Sequence, residues 1–85
     1  MACYKLLIKP SAAKELEAIA RKDRIRIIRK IQTLAPNPRL MGCEKLSGKE
    51  QYRLRQGRYR IVYSVSDEER SVLIVKVAHR KEAYR

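Results

Sequence analysis

In the stretch YRLRQGRYRI, residues 52–61, arginine occupies positions 53, 55, 58 and 60, two on each side of Gly57. A second group follows further on: Lys76, then His79, Arg80, Lys81 and Tyr84. Guanidinium is planar, permanently charged and able to bind two phosphate oxygens at once, so these arginines form a set suited to phosphate. RNA is the phosphate polymer that carries its own nucleophile, the 2′-hydroxyl. A protein can cut it by aligning that oxygen with the adjacent phosphorus and stabilising charge on the non-bridging oxygens. Two proton transfers remain, one from the 2′-hydroxyl and one to the leaving 5′-oxygen. Arginine stays protonated and is a poor base, which leaves His79 and Tyr84 as titratable candidates. The ring of Tyr84 could instead stack on an unpaired base. The competing account of the arginines is a solvated basic face with no ligand.

Other chemistries lack their residues. There is one histidine, no carboxylate pair at metal-ligand spacing, and Cys3 and Cys43 stand far apart, so neither a metal nor another cofactor is expected. No nucleophile elbow, phosphate-binding glycine loop or dinucleotide fingerprint occurs.

Composition agrees with a polyanion partner. The 85 residues carry 21 Lys and Arg against 9 Asp and Glu, a formal net charge of +12. Fixed cations in that excess displace the counterions condensed on nucleic acid, although an acidic protein would answer the same field. Hydrophobic residues make up 45% of the chain, enough for one modest core, and a single domain over residues 1–85 is expected. The isolated cysteines read as free thiols in a reducing cytoplasm. With no signal-peptide pattern and no bilayer-length apolar run, the expectation is a soluble, cytoplasmic protein without membrane contact.

The elements that must position the arginines follow from periodicity. Residues 4–9 predict a strand with Leu6 and Ile8 on one face and Lys5 and Lys9 on the other. Pro10 ends it and Ser11 is the expected N-cap of a helix over residues 12–20. Asp23 is the expected cap of a second helix, with Ile25, Ile28 and Ile31 through Leu34 and Ala35 as its buried stripe and Arg24, Arg26, Arg29 and Lys30 outside. The PNP sequence at 36–38 stops it. The period then falls to two: a weak strand near 44–46, strands over 51–55 and 58–65, and a near-continuous β-branched strand over 71–78. A tight turn at Gln56-Gly57 would set Arg55 opposite Arg58 and Arg53 opposite Arg60. Directly opposed residues share a face, so Tyr52, Leu54, Tyr59 and Ile61 would lie beneath the helices and the four arginines on the other side. In the last strand Leu73, Val75 and Val77 are expected in the core, leaving Ile74, Lys76, Ala78 and Arg80 open, with His79 beside the cluster. The fold class is α+β: a small β-α-α-β-β-β sandwich, two N-terminal helices on one face of a mainly antiparallel sheet, the other face basic.

The run KLSGKEQYRLRQGRYRIVYSV, followed by VAHRKEAYR, resembles the RelE branch of the RelE/ParE toxin superfamily. The resemblance extends over essentially the whole chain and is most specific in YRLRxGxYRIVY and HRKEAYR. It implies a β-α-α-β-β-β fold, a type II toxin–antitoxin toxin that cleaves mRNA in the ribosomal A site, and neutralisation by a cognate RelB-like antitoxin with an acidic or amphipathic segment. It implies active-site positions at Arg53, Arg55, Arg60, Arg80 and Tyr84, with His79 adjacent. The expected division of labour is Arg60, Arg80, Tyr84 and His79 as catalytic, and Arg53, Arg55, Arg58, Lys76 and Lys81 as RNA- and phosphate-binding. The sequence departs from well-described members in carrying arginine at 53 and 55, where they carry lysine. That leaves the general base open among His79, Tyr84 and Glu44. The alternative activity is a ParE-like DNA gyrase inhibitor of the same fold with no nuclease activity; a third is a non-catalytic RNA-binding module.

Overall fold

The computed structural model describes residues 3–39, 42–46 and 50–79. Strand β1 (Lys5–Ile8) leads into helices α1 (Pro10–Glu17) and α2 (Arg21–Gln32). Strands β2 (Glu44–Lys45), β3 (Gln51–Gln56), β4 (Tyr59–Ser66) and β5 (Ser71–His79) follow. They form one five-stranded sheet in the order β1-β5-β4-β3-β2. β1 runs parallel to β5 and the other pairings are antiparallel. The near-continuous apolar run of β5 therefore sits inside the sheet, between β1 and β4.

Both helices cover one face. Ala12 and Leu16 of α1, and Ile27, Ile31 and Leu34 of and after α2, share a core with Tyr52, Leu54, Ile61, Tyr63, Val65, Val72, Ile74 and Val77. Among the described residues no helix is long and apolar enough to cross a membrane.

Four details differ from the sequence reading. Helix α1 begins at Pro10, with Lys9 as N-cap and no side-chain cap bond. Proline at the first helical position has its φ already set and no N–H to satisfy, so Ser11 is not needed as a cap. Helix α2 likewise begins earlier, with Ala20 as N-cap and Asp23 inside the first turn, where a carboxylate still favours the helix dipole. The buried stripe of α2 is the i, i+4, i+7 set Ile27, Ile31 and Leu34, which rotates Ile25 and Ile28 outward to 39% exposure each. In β1, Leu6 packs against the core but Ile8 stays half-exposed.

A β-bulge in β5 is a further difference. Tyr63 pairs with Ile74 but its neighbour Val62 pairs with Lys76, so Val75 is an extra residue in β5. One inserted residue reverses the alternation. Val72 and Ile74 face the core before it and Val77 after it, in place of the expected Leu73, Val75 and Val77. Lys76 and Ala78 fall on the open side as expected; Ile74 does not.

Candidate functional site

The β3–β4 hairpin turns on Gly57 and Arg58, one residue later than the sequence suggested, with Gln56 opposite Tyr59. Gly57 has φ of 60°, the left-handed value that a two-residue hairpin loop asks of its first residue. The ladder moves by one pair, and Arg53, Arg55 and Arg60 keep the face predicted for them while Arg58 leaves it. Arg55 lies opposite Arg60, and Arg53 opposite Val62. Arg58 sits in the turn.

Two rungs of side chains then cross the face away from the helices. The rung nearer the turn is Arg55, Arg60 and Ala78; the next is Glu44, Arg53, Val62 and Lys76. Arg55 is exposed, and no hydrogen bond or ion pair engages it among the described residues. Arg60, on the middle strand, is only 3% exposed. Burying a group that cannot shed its proton is costly, and like charges directly opposed across a sheet add to that cost. Guanidinium groups opposed on one rung suit an anion that bridges them.

The other two cations of the face carry partners. Arg53 Nη2 donates to Glu44 Oε2 at 2.8 Å. That guanidinium holds the Glu44 carboxyl below its ordinary range, with Arg55 and Arg60 adding through their fields, so Glu44 is ionised and weakly basic. Lys76 Nζ meets Glu15 Oε2 of α1 at 3.0 Å, while Glu15 Oε1 accepts the Val77 N–H at 3.0 Å. Glu15 thereby covers the part of the β5 edge that lies beyond the β1 pairing, which stops at Ile74.

His79 is not on this face. It pairs with Tyr59 and meets its ring edge-on, centroids 5.3 Å apart. Both point to the helix side, because Arg60 and Ala78, one residue along each strand, point to the other. There they line a groove of about 360 Å³ with Asp23, Arg26, Ile27, Gln56, Gly57 and Arg58. The expectation of His79 beside the arginine cluster is thus corrected by strand alternation, and Arg58 is drawn to the same groove. Arg80, Lys81 and Tyr84 lie outside the described residues.

Sequence reasoning missed one cluster, at the opposite end of the sheet. Arg39 donates to Tyr52 Oη at 2.8 Å, to both carboxylate oxygens of Asp67 at 3.1 and 2.9 Å, and to Glu50 at 3.2 Å. Tyr4 Oη donates to Asp67 at 2.7 Å, and the Tyr63 hydroxyl to the Pro38 carbonyl at 2.7 Å. The Arg39 guanidinium holds Asp67 and Glu50 below the ordinary carboxylate range, and their charges raise its own pKa in turn. The cluster ties the segment after α2 to the start of β3 and to the β4–β5 turn, and so fixes the approach to β2 and Glu44. Its members are spread over residues 4–67 with no motif, and only the PNP break hinted that this loop is held.

The comparisons match this architecture. The family described as ParE toxin of type II toxin-antitoxin system, parDE, matches residues 6–84. None of the curated proteins compared matches significantly. Among solved structures, the toxin of the Mycobacterium tuberculosis RelBE2 toxin–antitoxin complex is similar in fold, with TM-score 0.81 and 24% identity over 94% of each chain. The toxin chain of the intact Escherichia coli RelBE complex has TM-score 0.79 and 27% identity, over 89% of this chain and 95% of that one. An arginine-to-alanine variant of E. coli RelE in the free state has TM-score 0.79 and 30% identity, over 99% of this chain and 90% of that one. With the family matched along nearly its whole length and the helix-covered sheet reproduced in these relatives, the chain belongs to the RelE/ParE superfamily, as a toxin of a type II toxin–antitoxin system.

Proposed function

We propose that this toxin is an endoribonuclease that cuts mRNA on the ribosome, without a metal ion, on the arginine face of its sheet. The observation that carries the reading is the Arg55–Arg60 rung, two cations directly opposed with the inner one buried. A flat basic face beside a buried cation suits a phosphate held against the sheet with its strand lying across it.

In this reading Arg55 and Arg60 bind the non-bridging oxygens and gain most as charge grows there in the transition state. Arg80 joins them. The 2′-oxygen loses its proton and bonds to phosphorus, the bond from phosphorus to the 5′-oxygen breaks, and that oxygen takes up a proton. Tyr84 serves the proton transfers. Glu44, its carboxyl held below the ordinary range by the neighbouring guanidinium groups, is a poor base, and His79, turned to the helices, takes no part in the chemistry. Lys81 and Lys76 hold the flanking backbone. An open face has no walls to order a flexible strand, so the ribosome supplies that order by presenting the codon in its A site. The solved relatives in complex with RelB support a cognate antitoxin here too, its acidic or amphipathic segment covering the basic face.

The second reading, inhibition of DNA gyrase, is favoured by the description of the matched family as ParE toxin. A reconstituted translation system separates the two. The nuclease reading expects cuts within ribosome-bound codons and unchanged gyrase supercoiling. Intact mRNA with supercoiling blocked would overturn it.

A further inference from the structure

We infer that Glu44 is a built-in competitor for substrate: its carboxylate occupies on Arg53 the position that a phosphate oxygen of a bound polyanion must take. The inference rests on the nucleic-acid reading of the arginine face.

Glu44 and Arg53 are directly opposed in the β2–β3 ladder, so the carboxylate lies on the arginine side of the sheet. Their contact, 2.8 Å from Nη2 to Oε2, is the charge-assisted bond by which guanidinium also takes phosphate. Three arginines surround this carboxylate electrostatically, since Arg53, Arg55 and Arg60 all lower its pKa. Glu50 and Asp67 are taken up at Arg39, Glu50 also at Lys45, and Glu15 at Lys76.

The pair is also built to open. The Glu44 side chain is 59% exposed and that of Arg53 34%. Exposed pairs are weak, so a phosphate can displace this one at little cost. Holding β2 in place does not depend on it. The backbone pairing of the strand and the Leu46 N–H bond to the Gln51 carbonyl, 2.8 Å, do that independently. In the unliganded toxin the carboxylate relieves repulsion among the guanidinium groups. On binding it yields Arg53 to the ligand, and affinity is lowered by the exchange.

The test is fluorescence anisotropy of a labelled single-stranded oligouridylate against the full chain over a salt series. The variants are Glu44→Gln, Arg53→Gln, their combination, and Arg55→Gln. Glu44→Gln is expected to bind about three- to fivefold more tightly at low salt. Its slope of log affinity against log salt should steepen by about 0.7, one more cation being available to the strand. Arg53→Gln should cost more in the Glu44→Gln background than in wild type, because only there is the arginine uncontested. If Glu44→Gln binds no more tightly while Arg55→Gln still weakens binding, the competitor role fails and the nucleic-acid face stands. If Arg53→Gln and Arg55→Gln both bind as wild type does, the face is not the polyanion site and both readings fall.

Discussion

Arginine is used in opposite ways at the two ends of the sheet. Arg39 meets two carboxylates and a tyrosine hydroxyl, so its charge is matched and its hydrogen bonds are taken up within the chain. Arg53, Arg55 and Arg60 lie together in the field of the Glu44 carboxylate. The first arrangement joins three segments of the chain and leaves no attraction for an outside anion. The second sets like charges side by side on one rung, Arg55 directly opposite Arg60. On the proposed reading, what distinguishes the two ends is how the arginines are placed against one another, more than how many there are.

The contrast can be broken by treating both ends alike. Arg55→Ala should lower the rate of ribosome-bound mRNA cutting by about tenfold, read in single-turnover assays, because water replaces part of an exposed cation's work. Thermal stability should hardly change. Arg39→Ala should do the reverse: a melting temperature lower by about 5 °C in calorimetry or circular dichroism, with cutting by the folded protein close to wild type. Equal loss of cutting in both would erase the distinction.

Acid should expose the Arg39 end more gently. Asp67 and Glu50 have pKa values lowered in the folded state by Arg39. Their stabilisation is complete above the unfolded carboxylate value of about 4 and is lost as pH falls through the depressed folded values. The melting temperature of wild type should therefore fall below about pH 4 more steeply than that of Arg39→Ala, and the two curves should converge. Parallel curves would show that Arg39 contributes through packing on Tyr52 alone.

Much of this was legible in the residues. The period-two run around Gly57 assigns Arg53, Arg55 and Arg60 to one face whichever pair of residues makes the turn, so their common face survived a wrong register. The order of elements was legible for the same reason: periods of two and 3.6 separate clearly on either side of the PNP break. Helix α2 was harder, because isoleucine at 25, 27, 28 and 31 offers two overlapping stripes and only packing chooses between them. In β5 the run SVLIVKVA is apolar on both faces and gives no sign that Val75 is an inserted residue. The Arg39 cluster and the Glu44–Arg53 pair depend on contacts between distant segments and on a two-residue strand, which no local pattern announces. His79 was misplaced by proximity in sequence, where alternation along β5 was the better guide.

The most direct test of the central claim compares the two sides of that strand end. Cutting of ribosome-bound mRNA is measured under single-turnover conditions for wild type, Arg60→Met and His79→Ala, with folding checked by circular dichroism. Methionine keeps much of the buried side chain's length, so loss of activity reports the charge. The account predicts a fall of about 10²–10³ for Arg60→Met and a change of no more than about threefold for His79→Ala. Cutting that survives Arg60→Met and is lost in His79→Ala would move the chemistry to the helix-side groove and contradict the arginine face as the active site.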